Sequence, residues 1–320
     1  MAESRPALAI DIGGTKMAAG VVEAAGRLVT WAQVPTPRDL DGELLWSTLD
    51  ALVSRVLESA GIGSPGTDLA GCGCGCGGPM RWPAGRVSPL NIPAWRDFPL
   101  RARLAGRLGG IPVRVHNDSI CMAVGEHWRG AGRGRRNLLG MVVSTGVGGG
   151  LVLDGRLIEG ASGNAGHIGH VVVDPGHGPP CACGGRGCVE AIAGGPPLVS
   201  WAQSEGWRSG QVGMTGKDLA DDATAGHPVG LAAMRRAGWA LGVAIASATS
   251  LCDLEVVSVG GGLSQAGTLL FDPLQEALRG HAGLDFVRKV RVVPAALGHN
   301  AGLVGAAALI LAADRYWAAD

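Results

Sequence analysis

The opening of the chain reads as apolar runs, ALAIDIGG and then MAAGVVEAAGRLVTWAQVPTP, the second broken at Ala25-Gly26. Short runs bounded by turn residues predict three strands, the last two joined by that turn. From Asp39 to Ala60 apolar side chains recur at Leu45, Leu49, Leu52, Val53, Val56 and Leu57, a helical stripe that Gly61 stops. Leu69 to Cys76 predicts a further strand, RVH at 114 to 116 ends another, and Asp118 to Trp128 starts a helix.

The opening pattern then returns. LLGMVVSTGVGGGLVLDGRLIEG at 138 to 160 again runs strand, Gly-rich turn, strand, and Gly155-Arg156-Leu157 sits where Gly26-Arg27-Leu28 sits in the first copy. Two related halves follow from this, not a tandem array. The second half continues with a long helical stretch from Pro228 to Asp253, a strand at EVVSVGGG, a helix after Thr268, a strand near VRVVP and a closing helix from Asn300. Alternating strands and helices define an α/β class. The repeat places the domains at 1–117 plus 300–320 and at 118–299.

Composition narrows the function classes. The 320 residues carry 27 basic and 27 acidic side chains, a formal net charge of zero, which argues against a polyanion as main partner. The longest apolar run, AGLVGAAALILAA at 301 to 313, is too short to span a bilayer, and the N-terminus lacks a signal-peptide core. The expectation is a soluble cytoplasmic protein that uses neither nucleic acid nor membrane. Its eight cysteines are then free thiols or metal ligands.

Two segments look like cysteine metal sites. In GCGCGCGG at 71 to 78, Cys72, Cys74 and Cys76 alternate with glycine. On a strand they share one face ~7 Å apart, whereas zinc needs its sulfurs ~2.3 Å from one point. These are expected to be buried hydrophobes, with the glycine face admitting a closely packed backbone or helix. CACGGRGC at 181 to 188 differs, because its glycines let Cys181, Cys183 and Cys188 turn inward, and HIGH just upstream offers His170 or His167. Three thiolates and an imidazole make a closed structural Zn²⁺ site.

Gly-rich turns supply phosphate chemistry. In DIGGTK, Gly13 and Gly14 let backbone N–H groups approach phosphate oxygens, Thr15 and Lys16 donate to them, and Asp11 can hold a hydrated Mg²⁺. TGVGGG, with Thr145 and Gly146, is a second such turn, and SVGGGLS, with Gly261, a third at a strand end where an adenosine could rest. DIGGTK lacks the spacing of a P-loop, and TGVGGG is not a Rossmann fingerprint because a strand follows it. In HND, Asp118 can accept a proton from a substrate hydroxyl that Asn117 orients, or it can simply cap the helix. Glu190, two residues past Cys188, would be held rigidly by the zinc loop as a polar wall.

DIGGTK, GGPM…SPLNIPAWRDFPL, HND, TGVGGG, AGHIGH and CACGGRGCVEAIAGG together resemble the ROK family of sugar kinases and repressors over nearly the whole chain. The resemblance implies a two-domain, actin-like ATPase (ribonuclease H-like, hexokinase-type) α/β fold with ATP and sugar in an interdomain cleft, and a dimer or tetramer. It implies Asp118 as catalytic base, Asn91, Asn117, His170 and Glu190 as sugar-binding positions, and His170 with the three cysteines as the zinc site. Many members carry a glutamate where this chain has His167. A carboxylate accepts from two sugar hydroxyls, whereas neutral imidazole offers one donor and one acceptor. AGHIGH is similar to bacterial N-acetylmannosamine kinases, and a 3-amino-3-deoxyglucose type of sugar also fits; glucokinase is the alternative. The family's repressors carry an N-terminal helix-turn-helix, for which the ten residues before Asp11 are too few.

Overall fold

The computed structural model describes residues 5–37, 41–208 and 210–317. Asp39, where the first helical stripe was expected to begin, lies outside these; the helix itself starts at Gly42, capped by the Asp41 carboxylate, which accepts from the Glu43 N–H at 2.8 Å.

Along the chain come β1 (Ala7–Ile12), β2 (Lys16–Val22), β3 (Leu28–Pro35), α1 (Gly42–Ser59), α2 (Pro65–Asp68), β4 (Gly71–Cys76), the short pair β5 (Met80–Arg81) and β6 (Arg86–Val87), α3 (Leu100–Arg107), β7 (Val113–Asn117) and α4 (Asp118–Arg129). Then follow β8 (Leu138–Val143), β9 (Val147–Leu153), β10 (Arg156–Ile158), α5 (Val189–Ala193), α6 (Gly195–Ser204), α7 (Gly216–Thr224), α8 (Pro228–Cys252), β11 (Val256–Gly260), α9 (Thr268–His281), α10 (Asp285–Arg288), β12 (Arg291–Pro294), α11 (Ala301–Leu311) and α12 (Ala313–Tyr316). The chain divides into two compact units, one of residues 1–133, 155–165 and 299–320, the other of 134–154 and 166–298.

The sequence boundary at 117/118 therefore moves. α4 packs with the first unit because Gly125 and Gly305 let it lie directly on α11: a Cβ at Gly305 would fall 1.6 Å from the Cys121 carbonyl oxygen. Residues 155–165 also join that unit, where Arg156 donates to the Asp314 carbonyl at 3.1 Å.

The internal repeat is visible in the sheets. In the first unit β1 pairs antiparallel with β2 and parallel with β4, which pairs parallel with β7. In the second, β8 pairs antiparallel with β9 and parallel with β11, which pairs parallel with β12. Each half thus ends parallel strands side by side, the place where α/β folds bind ligands.

β4 is buried over its whole length. Burial pushes the thiols of Cys72, Cys74 and Cys76 well up, so they stay protonated and pack as small hydrophobes, as their spacing implies. The alternate glycines meet α11 so closely that a Cβ at Gly73 would sit 1.7 Å from the Ala306 carbonyl oxygen.

The apolar stretch at 301 to 313 is not the longest apolar helix. α8 is long and apolar enough to cross a membrane by length and composition, but 61% of its apolar window is buried, and it packs on α9 through Gly238 and Gly242 as the second unit's core helix.

Candidate functional site

In the first unit, three strand ends bring the predicted residues together. Asp11 near the end of β1 stands in register with Gly75 of β4, and Cys76 at the end of β4 stands opposite Asn117 at the end of β7. The GGTK turn after β1 is closed by Gly13 N–H donating to the Lys16 carbonyl at 3.0 Å. The Thr36 hydroxyl braces it by donating to the Gly13 carbonyl at 2.7 Å, a contact that PTP in the sequence does not announce.

Helix α4 begins here, and its cap assigns roles. Asn117 is the N-cap: its side-chain oxygen accepts from the Ser119 N–H at 3.0 Å. Asp118 is therefore the first helical residue, not the cap, although its Oδ1 also accepts from that N–H at 2.8 Å. Gly77 and Gly78, just past β4, form the floor. A Cβ at Gly77 would lie 3.7 Å from Asn91 Oδ1 and 4.0 Å from Asp118 Oδ2, and one at Gly78 would lie 3.3 Å from Asn117 Nδ2. Asn91 also lies over the GGTK turn, since a Cβ at Gly14 would meet its Cβ at 2.7 Å. Asn91, Asn117, Asp118, Gly14 and Asp11 thus share one corner of this unit.

The Asp11 carboxyl is pushed up to about 7, first by burial and then by the Asp118 charge, with Lys16 pulling the other way. A buried carboxyl held near neutrality is the donor type that a divalent cation would ionise.

In the second unit a cleft of about 290 Å³ opens beside β8 and β11. Thr145 of the TGVGGG turn lines it together with Gly262 and Leu263 of the SVGGGLS turn, so two of the three Gly-rich turns meet in one place. Gly261 itself holds the turn: at φ +94°, a Cβ on it would fall 2.3 Å from the Val143 carbonyl oxygen. Gly195 at the start of α6 and Thr215 and Lys217 at the start of α7 also line it. Sequence reasoning missed these three; the capping box at Thr215 and Asp218 was the available signal that a helix begins there.

His170, Cys181, Cys183 and Cys188 place their ligand atoms within 4.8 Å of one another. Cys183 and Cys188 sulfurs are 3.8 Å apart, and Cys181 Sγ is 3.8 Å from His170 Nδ1. Sulfurs held tetrahedrally at ~2.3 Å from a common centre lie about 3.8 Å apart, so the donor set and its spacing fit Zn²⁺. His170, not His167, joins the cysteines. Gly187 makes the fold-back feasible: at φ +72° it brings its backbone against Asp174, where a Cβ would meet the carbonyl oxygen at 1.9 Å.

The consequence of this loop differs from a plain polar wall. Cys188 bridges to Val172 and the next N–H, of Val189, donates to Val171 at 3.0 Å, which sets the start of α5. Glu190 then reaches the TGVGGG turn, its Oε2 accepting from the Val147 N–H at 2.9 Å, and a Cβ at Gly146 would collide with it at 2.4 Å. The AGHIGH segment lies on the same strand, since a Cβ at Gly169 would fall 1.8 Å from the Val147 carbonyl oxygen. His167 stands at the head of that turn, its ring 6.4 Å from that of His170.

The model of the ROK family matches residues 7–313. A glucokinase of Halalkalibacterium halodurans is 33% identical over 314 residues, covering 94% of this chain and 93% of that one. An N-acetylmannosamine kinase of Yersinia pseudotuberculosis is 34% identical over 302 residues, with 94% and 96% covered. Among solved structures, a ROK family glucokinase from Streptomyces griseus in complex with glucose and AMPPNP is 34% identical with a TM-score of 0.81, covering 95% of this chain and 99% of that one. A ROK hexokinase from Thermus thermophilus is 35% identical with a TM-score of 0.82, covering 97% and 99%.

Proposed function

We propose that this chain, which belongs to the ROK family and has its two-domain actin-like fold, is an ATP-dependent hexose kinase acting on the sugar 6-hydroxyl, with an amino-hexose as preferred acceptor. The observation that carries the reading is the convergence of Asn91, Asn117 and Asp118 on the Gly77-Gly78 floor beside Asp11 and Gly14.

In this reading Asp118 is the general base. It takes the proton of the hydroxyl as that oxygen attacks the γ-phosphorus, while Asn91 and Asn117 hold neighbouring hydroxyls. Backbone N–H groups of the Gly13-Gly14-Thr15 turn stabilise the charge on the transferring group, with Lys16 adding its own. Asp11 would hold Mg²⁺, which supplies positive charge at the phosphates. The cleft lined by Thr145, Gly262 and Leu263 fits the adenosine end of the donor. His170 and the three cysteines would hold Zn²⁺ in a closed site that orders Glu190.

Ionisation of Asp11 sets the sign of a pH effect. A carboxyl raised from 3.8 to about 7 keeps its proton in the folded protein. The cost of ionising it appears as pH rises from about 4 and is complete above about 7, so stability declines over that window and then levels. Mg²⁺ competes with the same proton. Its affinity should strengthen roughly tenfold per pH unit below about 7 and flatten above. Titration of Mg²⁺ dependence at several pH values checks this, and Asp11→Asn should abolish the slope.

Support for an amino-hexose comes from His167. Imidazole brings a single donor and a single acceptor to the sugar, where a glutamate would accept twice. The glucokinase reading has its own support, since relatives of both names stand at similar identity. Initial-rate assays of ADP release on glucose, mannose, N-acetylglucosamine, N-acetylmannosamine and 3-amino-3-deoxyglucose separate the two. An amino-hexose should show the highest kcat/KM, and His167→Glu should move the preference toward glucose by about tenfold, one hydrogen bond's worth. A wild-type preference for glucose that His167→Glu leaves untouched would return the assignment to glucokinase.

A further inference from the structure

The loop that carries Asn91 has no helix or strand of its own, yet it is tied down at every turn. Its ends are pinned where Val87 and Phe98 exchange both backbone hydrogen bonds at 2.9 Å. Just inside, the Ser88 hydroxyl accepts from the Asp97 N–H at 2.8 Å, and Arg86 donates to the Asp97 carbonyl at 2.6 Å and to its carboxylate at 2.9 Å. Asp97 itself sits at φ +50°, the reversal that closes the loop. Trp95 anchors the base, stacked on Phe98 with centroids 4.3 Å apart and donating to the Gly42 carbonyl at 3.1 Å.

Arg96 occupies the inside of this loop. Its Nη1 donates to the carbonyls of Pro89 at 2.9 Å, Ile92 at 3.1 Å and Trp95 at 2.7 Å. Two of those carbonyls flank Asn91 on either side. The Pro89 and Ile92 carbonyls also accept from the Ile92 and Trp95 N–H groups, at 3.1 Å each, and the guanidinium gathers both with the Trp95 carbonyl through charge-assisted bonds that its two Nη1 hydrogens share. No role in chemistry is needed to explain the side chain's place; its work is on the backbone.

We propose that Arg96 is a positioning residue for the acceptor sugar, acting through Asn91 by fixing the backbone on both sides of it. The inference rests on the reading of Asn91 as a sugar contact. Lacking Arg96, the loop would keep its pinned ends and the bond from the Leu90 N–H to the Gly78 carbonyl at 3.2 Å, while the backbone after Asn91, from Ile92 to Trp95, would lose its tie to Pro89 and with it the exact placement of Asn91 over Gly14 and the Gly77 floor.

The test is a double-mutant cycle in the intact protein with the best acceptor from the sugar panel, reading KM for sugar, KM for ATP and kcat for Asn91→Ala, Arg96→Ala and the pair. Arg96→Ala should raise the sugar KM about tenfold, in line with loss of charged hydrogen bonds, and leave the ATP KM within about twofold. In the Asn91→Ala background it should add almost nothing. An unchanged sugar KM in Arg96→Ala beside a raised one in Asn91→Ala would overturn the inference and leave the sugar site standing. Fully multiplicative effects would overturn it as well, because Arg96 would then act elsewhere. An unchanged KM in Asn91→Ala would instead remove the sugar contact, and the inference with it. Should Arg96→Ala fail to fold, Arg96→Gln, which keeps a shorter stem and a neutral donor group, takes its place in the same cycle.

Discussion

Asp118→Asn is expected to lower kcat by about 10²–10⁴ while changing the sugar KM by less than about threefold. The substitution keeps shape and removes only the group that can take the proton. Its structural cost should be small for a specific reason: the cap of α4 is Asn117, whose side chain already accepts from Ser119, and an asparagine oxygen at 118 can keep the 2.8 Å bond that Oδ1 makes to the same N–H. Thermal unfolding of the variant should therefore match wild type. Steady-state kinetics on purified protein, with calorimetric sugar binding alongside, checks both halves of the expectation. Retained turnover would remove Asp118 from the chemistry.

Cys183→Ala should produce the second large effect, through a different route. Cys183 is exposed, so its truncation costs little packing, and any large loss is attributable to the metal. Structural zinc sites contribute roughly 10–16 kcal/mol of apparent binding free energy, and three remaining donors give up much of it. What unravels first is the run from Cys181 to Cys188, then the Val171 and Val172 contacts that set α5, and with α5 the Glu190 carboxylate on the Val147 N–H. Zinc content should fall from about one ion per chain to near zero, the melting temperature should drop, and activity should fall by at least about tenfold. Metal analysis by mass spectrometry, run beside the activity assay, reads this directly. Equal zinc in variant and wild type would count against the site.

Most of the architecture was legible because its signals are local. GCGCGCGG announced a buried strand by period two alone, and the repeated strand, Gly turn, strand pattern announced two sheets of one topology. What sequence concealed depends on contacts between distant segments. The unit boundary falls after Arg133 because α4 lies on α11, nearly two hundred residues on, through glycines whose purpose no local pattern reveals. The corner at Asp118 was legible as a motif, but the division of labour between cap and first helical residue required the backbone. Glu190 was marked by its distance from Cys188, whereas its grip on Val147 depends on how the loop from Cys181 to Cys188 folds back. Thr36 and Arg96 carried no signal beyond their types, and Lys217 had only the capping box at Thr215 that marks the start of its helix. Each acts on backbone or on a cleft assembled from several elements, and single-sequence periodicity does not register such contacts.

Phosphoryl transfer from ATP to the 6-hydroxyl of a hexose leaves phosphorus on one assignable carbon of the product. Its most direct measurement is phosphorus–proton NMR of the product formed from Mg-ATP and the best acceptor of the sugar panel. The expected result is a phosphorus resonance coupled to the two protons on carbon 6, formed in step with ADP. A phosphate at another carbon, or ADP release that does not depend on sugar, would contradict it.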